Sequence, residues 1–271
     1  MHIDTHAFWG KNKILGFNYT VGMYKQIAKE HMDIKFIITS ISPESNHEIA
    51  DVVNQNPDLF LKGQLFIVPK ENQRVTHTPV EELEELCKDK AVGGLKIIPY
   101  ATNTAINNPS YDAYFELATQ FDIPVLIHCS KSGTKFTSYQ KIDSLSTKHP
   151  NTKIILAHLG GLNKTYIEGS IDLAIKHKNI YLNTTGTSGE ERRIIVKNDC
   201  PEITEMHSDL KIRRYWGRQV RKIMQGKAKN KLLIGSDFPF LSFQEYPLEL
   251  LTNSEQKIVL ATTKEIYKIN S

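Results

Sequence analysis

The chain has 271 residues, of which 40% are hydrophobic and 24% charged, and its formal net charge is +4. This length is normal for one α/β barrel, and it provides a core large enough to fold without disulfide bonds or structural metals. The mild positive charge favours small anionic molecules over nucleic acid, because nucleic-acid binding usually needs a concentrated basic face.

Cysteine usage and the apolar runs indicate a cellular location. The three cysteines, Cys87, Cys129 and Cys200, form no CxxC pair, which is typical of proteins from a reducing compartment. No apolar run approaches the ~20 residues of a membrane helix. The first residues lack the basic and apolar regions of a signal peptide. We therefore predict a cytoplasmic protein that binds neither membranes nor nucleic acid.

Apolar, β-branched runs recur along the chain, with amphipathic stretches between them. Near-continuous apolar runs are typical of strands buried on both faces of a parallel sheet. Eight such strands alternating with helices predict a (β/α)8 TIM barrel, as one domain over residues 1–271. A doubly wound open sheet is the main alternative, but no GxGxxG follows the first strand. The predicted strands are 2–6, 35–41, 64–68, 94–98, 124–128, 153–158, 179–184 and 231–236.

The segments between the strands carry helix signals. Thr78 is a predicted N-cap with Pro79 at the first helical position, and Thr252 and Glu255 have the spacing of a capping box. The long stretch 188–231 is strongly basic, and we predict an extended basic helical segment there. Its arginines and lysines either cover the barrel surface with their stems or form a lid or partner surface that faces an anionic substrate. Further helices are predicted at 46–56, 138–148 and 164–176.

Four residues with acid–base or metal-binding chemistry fall at the carboxyl ends of predicted strands. His6 ends the first strand, His128 the fifth and His158 the sixth, and Asp237 follows the eighth. These ends and the loops after them form the mouth of a barrel, so the four side chains should converge there. Histidine and carboxylate groups are the ordinary ligands of Zn²⁺, which lowers the pKa of bound water toward ~7.

The opening MHIDTHAFWG places His2, Asp4 and His6 on one face of a strand, because side chains alternate. His2 lies roughly 13 Å from His6 along that strand, at the opposite end of the barrel, and is excluded as a ligand. Asp4 is predicted to be a hydrogen-bonded interior group. The face continues in Phe8, which cannot bind a metal.

Six segments carry a resemblance, and they occur in the order IDTHAFWG, GGLKIIPY, DIPVLIHCS, KIILAHLGG, KLLIGSDFPF and a terminal helix in EQKIVLATTKEIYKI. The chain resembles the amidohydrolase-2 branch of the amidohydrolase superfamily. That branch contains metal-dependent hydrolases and enzymes resembling aminocarboxymuconate semialdehyde decarboxylase. The resemblance implies a distorted (β/α)8 barrel. The family motif Asp-x-His-x-His has its second metal-binding histidine replaced here by Phe8.

The resemblance also implies roles for individual residues. His6, His128 and Asp237 would bind one divalent metal, expected to be Zn²⁺, and the loss of the second histidine would weaken the binding of this metal. Asp237 would also be the catalytic base that accepts the proton of the attacking water. His158 would be a second catalytic residue that orients the water or polarises the substrate.

Three further residues are expected to contact substrate. Lys96, at the end of the fourth strand, would bind a substrate carboxylate or lie beside Asp237. Phe8 would form an apolar wall, and Trp9 follows in the loop at the rim of the barrel.

The leading hypothesis is a hydrolase that cleaves an amide, ester or lactone of a small, anionic substrate with metal-activated water. Three alternatives remain open. They are a non-oxidative decarboxylase of a small carboxylic acid, a metal-free lactonase-like hydrolase, and a degenerate barrel that serves as a small-molecule sensor or binding protein. Homo-oligomers are the common arrangement for such enzymes.

Overall fold

The computed structural model describes ten ranges of the chain, which include every residue predicted for the site. The ranges are 1–12, 17–31, 33–70, 76–129, 135–161, 164–186, 190–197, 200–208, 210–238 and 247–270. Within them, no helix has the length and apolar character needed to cross a membrane.

Eight parallel strands form the centre of the molecule, and each of the eight predicted strand segments overlaps one of them. Their order in the sheet follows the chain, and a short ninth strand, β2 (Phe17–Tyr19), pairs antiparallel with the outer part of the first. The eight are β1 (His2–Asn12), β3 (Ile34–Ser40), β4 (Phe60–Ile67), β5 (Val92–Ile97), β6 (Val125–Ile127), β7 (Ile154–Leu156), β8 (Ile180–Asn183) and β11 (Leu232–Leu233).

Backbone hydrogen bonds join the eighth strand and the residues after it to the first. The N–H of Thr5 donates to the Ile234 carbonyl at 2.8 Å, and the N–H of Asp237 donates to the His6 carbonyl at 2.9 Å. The ladder therefore closes on itself, and the predicted (β/α)8 barrel is confirmed. Closure also brings the segment that carries Asp237 against the end of β1, 229 or more residues away in sequence.

Helices surround this barrel and cover its outer face. Side chains such as Ile38, Leu65 and Ile127 point outward into the layer between strands and helices, where they are fully buried. This burial is the main source of stability for a barrel of this kind. The helices are α1 (Val21–Glu30), α2 (Asn46–Gln55), α3 (Val80–Cys87), α4 (Asp112–Phe121), α5 (Tyr139–Lys148), α6 (Lys164–Lys176), α7 (Leu210–Gln225) and α8 (Asn253–Tyr267).

A second, smaller apolar cluster fills the barrel interior. Ile3, Leu126 and Ile155 point inward from their strands and pack with Ile266 and Tyr267 at the end of α8. The C-terminal helix therefore covers the floor of the barrel, at the end opposite to the mouth.

The two predicted helix caps have different outcomes. Thr252 accepts a hydrogen bond from the Glu255 N–H, and the Glu255 carboxylate accepts one in return, so the capping box at α8 is confirmed. Thr78 is not a cap, since α3 begins at Val80 after Pro79. The Thr78 hydroxyl is buried and accepts from the Val68 N–H at 3.1 Å. The hydroxyl group that the sequence predicted to cap α3 therefore forms a hydrogen bond with Val68 instead.

The basic stretch between the last two barrel strands is only partly helical, which corrects the predicted helical segment. Two antiparallel strands, β9 (Glu190–Lys197) and β10 (Cys200–Ser208), precede α7. The run Arg-Ile-Ile-Val in β9 is rich in β-branched residues, which favour strands over helices. In α7, Trp216, Val220 and Ile223 are buried on the barrel, as expected if the basic residues lie on its outer face.

Candidate active site

The barrel mouth gathers the predicted site residues from five strands. His6 lies on β1 and Lys96 on β5, and both are fully buried. His128 follows β6 directly, His158 follows β7 by two residues, and Asp237 lies beyond β11. Since all five strands are parallel, their carboxyl ends meet at one rim. The predicted convergence is therefore present in the structure.

A one-way chain of hydrogen bonds fixes the proton positions on His6. Its far end is the Ile234 carbonyl, which can only accept, so the Thr5 hydroxyl donates to it at 2.7 Å. The Thr5 oxygen in turn accepts from the Asn183 amide nitrogen at 2.7 Å. The Asn183 carbonyl oxygen then accepts from the Thr185 hydroxyl. Each bond in this chain fixes the direction of the next.

The same chain reaches His6. Because Thr185 donates its proton to Asn183, its oxygen accepts from His6 Nδ1 at 2.9 Å. Burial and the nearby charge of Lys96 hold the pKa of His6 well below its ordinary value, so the ring is neutral. A neutral ring protonated at Nδ1 has a lone pair at Nε2. The network therefore presents an acceptor nitrogen of His6 to the centre of the mouth.

Lys96 fills the position opposite that nitrogen. Its Nζ lies 2.9 Å from His6 Nε2 and donates a proton to it. Leu95 and Ile97 point outward into the helix layer, so alternation turns Lys96 inward. Burial lowers the pKa of Lys96 to about 7, and the negative charge of Asp237 opposes that shift.

His158 and His128 form a second oriented pair. His158 Nδ1 lies 2.8 Å from the Thr185 carbonyl and must carry the proton of that bond. Burial lowers the pKa of His158 to about 3, so its Nε2 is an acceptor. His128 Nδ1 lies 3.1 Å away and donates to it. The remaining nitrogen of His128, Nε2, therefore has a lone pair when the ring is neutral.

This pairing changes the expected role of His158. Both of its ring nitrogens are used, one on a backbone carbonyl and one on His128. His158 thus holds His128 in position, and His128 has the nitrogen available for chemistry. His128 is also the more exposed of the two, since it is half-buried whereas His158 is 4% exposed.

Asp237 and His158 have backbone conformations that are rare for residues other than glycine. Their φ angles are 68° and 56°, and Leu159 follows with 49°. Non-glycine residues in the left-handed region cost of order 1 kcal/mol or more each, and such strain clusters at functional sites. The Asp237 side chain is 15% exposed, and its Oδ1 lies 3.7 Å from His6 Nδ1. The strained turn thus directs a partly accessible carboxylate into the mouth.

Asp4 supports this arrangement as a buried, hydrogen-bonded group, as its position in the sequence indicated. Its carboxylate accepts from the backbone N–H of His6 and of Ser236, both at 3.0 Å, and from the Ser236 hydroxyl. Burial raises the pKa of Asp4 to about 6 even though these bonds oppose the shift. Asp4 therefore connects the first strand to the segment that carries Asp237.

The two aromatic residues predicted to contact substrate point in different directions. The Phe8 ring lies 5.0 Å from the His6 ring and 6.0 Å from Lys96 Nζ, so it forms an apolar wall of the mouth. The Trp9 ring packs instead against Tyr24 and Phe60 in the outer layer. Alternation along β1 explains the difference, and it does not support Trp9 as a substrate contact.

The described residues do not fit the metal ion that the resemblance implies. A histidine ligand needs one ring nitrogen free for the metal, and His6 has Nδ1 on Thr185 and Nε2 against the Lys96 amino group. Phe8 supplies no donor atom. Among the described ranges, no group of three or more His, Cys, Asp or Glu side chains is arranged to hold a metal.

Sequence reasoning missed the polar residues that orient the two histidines. Thr5, Asn183 and Thr185 carry the hydrogen-bond chain, and Gly235 provides the space for it. A Cβ atom on Gly235 would lie 2.6 Å from Thr185 Oγ1 and 2.8 Å from His6 Cβ. The signal was present as small polar residues directly after apolar strands, in NTT and GSD.

Solved structures of similar fold span nearly the whole chain. A probable 2-pyrone-4,6-dicarboxylic acid hydrolase from Acinetobacter baumannii, with citric acid bound, is 14% identical and has a TM-score of 0.71 over 98% of this chain and 99% of its own. A 5-carboxyvanillate decarboxylase from Sphingomonas paucimobilis is 11% identical, with a TM-score of 0.67 over 99% of each chain. These likenesses support the fold.

A third structure of this fold contains a metal. It is a dihydroxybenzoic acid decarboxylase from Polaromonas sp. JS666 with bound manganese and the inhibitor 2-nitroresorcinol. It is 13% identical, with a TM-score of 0.68 over 100% of this chain and 97% of its own.

The family comparison is the more specific one. No curated protein matches the sequence. The family model described as Amidohydrolase matches residues 30–268, which is most of the chain. That match covers the strands that bear Lys96, His128, His158 and Asp237 and agrees with the expected enzyme class. The chain therefore belongs to the amidohydrolase family.

Proposed function

We propose that this protein hydrolyses an ester or lactone bond in a small anionic molecule. The observation that carries the proposal is the convergence of two proton acceptors, Asp237 and His128 Nε2, with the amino group of Lys96 at one barrel mouth. Two acceptors are suited to removing a proton from water, whereas decarboxylation needs a proton delivered to carbon. A buried cationic side chain favours a substrate that carries a carboxylate.

The proposed reaction uses this chain's own residues as the acid and base. Asp237 accepts a proton from water while the water oxygen forms a bond to the carbonyl carbon. His128 Nε2 accepts a hydrogen bond from the same water and holds it in position. When the tetrahedral intermediate collapses, the bond to the leaving oxygen breaks and Asp237 returns its proton to that oxygen. The products are a carboxylic acid and a hydroxyl group, which a lactone retains in one molecule.

Binding geometry supports the assignment of Asp237 as the base. Its carboxylate is partly accessible to solvent, while the carboxylate of Asp4 is fully enclosed and hydrogen-bonded to Ser236. Phe8 supplies an apolar surface beside the site, which suits the ring or chain of an organic acid. The ligand atoms at this site do not favour a zinc-dependent form of the reaction.

A panel of substrates tests the proposal directly. 2-Pyrone-4,6-dicarboxylate, simpler carboxylated lactones and carboxylated aryl esters would be assayed for hydrolysis by absorbance and acid release. Dihydroxybenzoates and 5-carboxyvanillate would be assayed in parallel for release of carbon dioxide. Hydrolysis of at least one panel member is expected. Carbon dioxide release without hydrolysis would establish the decarboxylase alternative, and ligand binding with neither reaction would favour a sensor.

Asp237→Asn should lower kcat for hydrolysis by ~10²–10⁴-fold, because general acid–base catalysis contributes that much. The matched control is Asp122→Asn, since Asp122 is a carboxylate with 55% of its side chain exposed at the barrel surface. Its kcat should match that of the unsubstituted protein. An Asp237→Asn protein with undiminished kcat would remove this carboxylate from the mechanism.

A further inference from the structure

The contact between Lys96 and His6 carries an inference about the electrophile, and it rests on the proposed hydrolysis. A hydrolase of this type needs a positive charge near the carbonyl oxygen, because that oxygen becomes an anion when water adds. The family's histidine motif would place a metal ion at the nitrogen that His6 turns toward the mouth. In this chain, the Lys96 amino group is at that nitrogen, 2.9 Å away.

The surroundings of His6 are those of a metal-binding histidine. Such a histidine usually gives its second ring N–H to an oxygen acceptor, which fixes the lone pair that faces the metal. His6 does so through Thr185, and the chain continues through Asn183 to Thr5. The hydrogen bonds that would orient a metal-binding histidine are therefore present. The atom that faces the lone pair of His6 Nε2 is the Lys96 nitrogen.

Two further features agree with a Lys96 amino group at the position of a metal ion. The resemblance puts Phe8 at the position of the second metal histidine, and its ring faces both His6 and Lys96 Nζ without offering a donor atom. Asp237, which the resemblance made a metal ligand, is close enough to Lys96 to interact with its charge. An ammonium group, like a metal ion, is attracted to a histidine lone pair and to a carboxylate.

We infer that the Lys96 ammonium replaces the metal ion in this protein and that hydrolysis proceeds on a carbonyl oxygen held by this ammonium. Lys96 keeps one N–H on His6 Nε2 and directs another to the substrate oxygen, where negative charge develops. The lysine is anchored on β5, so the charge is held in place before the substrate binds.

Zinc binding by paired variants tests this inference without any substrate. Phe8→His restores the second imidazole but leaves the ammonium in place, and Phe8→His/Lys96→Leu removes the ammonium as well. Zinc affinity would be measured by competition with a chromophoric chelator. We expect the double variant to bind Zn²⁺ at least about tenfold more tightly than Phe8→His, a difference of about 1.4 kcal/mol. The unsubstituted protein should bind more weakly than either.

Control variants separate this effect from a general loss of positive charge or of folding. Lys62, on the neighbouring strand β4, donates to the Lys90 carbonyl and is the matched lysine. Phe8→His/Lys62→Leu should bind Zn²⁺ as Phe8→His does. If Lys96→Leu perturbs folding by circular dichroism, Phe8→His/Lys96→Ala takes its place.

Two results would overturn the inference. One is equal zinc affinity of Phe8→His and Phe8→His/Lys96→Leu, which would mean that the ammonium does not occupy the metal position. The other is hydrolysis by the unsubstituted protein that is lost on dialysis against a chelator and restored by Zn²⁺. Absence of hydrolysis together with the expected zinc affinities would contradict only the proposed function, because the binding measurement needs no substrate.

Discussion

Single protons and lone pairs define the chemistry of this site. The direction of every bond from Ile234 to Lys96 follows from one backbone carbonyl that can only accept. Thr185 orients both the His6–Lys96 pair and the His158–His128 pair, since its hydroxyl accepts from His6 and its carbonyl accepts from His158. A fully buried residue thus determines which nitrogen of each histidine faces the mouth.

Thr185→Val tests this role at the residue scale. The change keeps the shape of the side chain and leaves the His6 N–H buried without its acceptor. We expect a loss of about 1–3 kcal/mol in the free energy of unfolding, measured with urea. Thr147→Val is the control, because Thr147 is exposed on α5. Equal stability of the two variants would show that the chain of hydrogen bonds does not orient His6.

Secondary-structure elements were the most predictable part of this protein. All eight barrel strands were identified from apolar runs, because strands buried on both faces leave little room for polar residues. The predictions were wrong where a side chain formed a tertiary contact instead of a local one, or where a local pattern was compatible with two kinds of element. Thr78 bonds to Val68 instead of capping α3, and β9 and β10 occupy part of a stretch whose charge had suggested a helix.

Gly235→Ala tests how closely the elements pack around the site. An added Cβ would overlap Thr185 and Asn183 at 2.6 and 2.7 Å. We expect a loss of about 1–3 kcal/mol in the free energy of unfolding, typical of overpacking. Gly22→Ala is the control in α1, where the nearest atom lies 3.7 Å away. It should be neutral or slightly stabilising, since alanine favours helices by about 1 kcal/mol over glycine. Equal losses in both variants would contradict the packing argument.

The closed barrel excludes water from several ionisable groups, and this affects the stability of the whole molecule. Burial lowers the pKa of His6, His128 and His158, so the unfolded chain binds more protons than the folded one below about pH 6.5. Stability is therefore lost as the pH falls through this range. Asp4 acts in the opposite direction between its ordinary pKa and about 6, but one carboxyl opposes three imidazoles.

Urea unfolding at about pH 6.5 and about pH 5 tests this balance. The free energy of unfolding should be lower at the acidic value, by up to about 1.4 kcal/mol per pH unit for each buried histidine. His158→Gln should show a smaller difference between the two pH values. His47→Gln, at a histidine whose side chain is 63% exposed, should keep the full difference. An undiminished difference in His158→Gln would show that this histidine does not contribute to the acid sensitivity.

The sequence by itself determined the class of fold, the family resemblance and the placement of His6, Lys96, His128, His158 and Asp237 at strand ends. Those properties follow from local hydrophobic patterns and from the rule that parallel strands share their ends. Only the tertiary structure decided which atoms meet. Barrel closure places Asp237 beside His6, and the interior hydrogen bonds set Lys96 in front of His6. These contacts depend on distances between residues far apart in the chain, which no local pattern encodes.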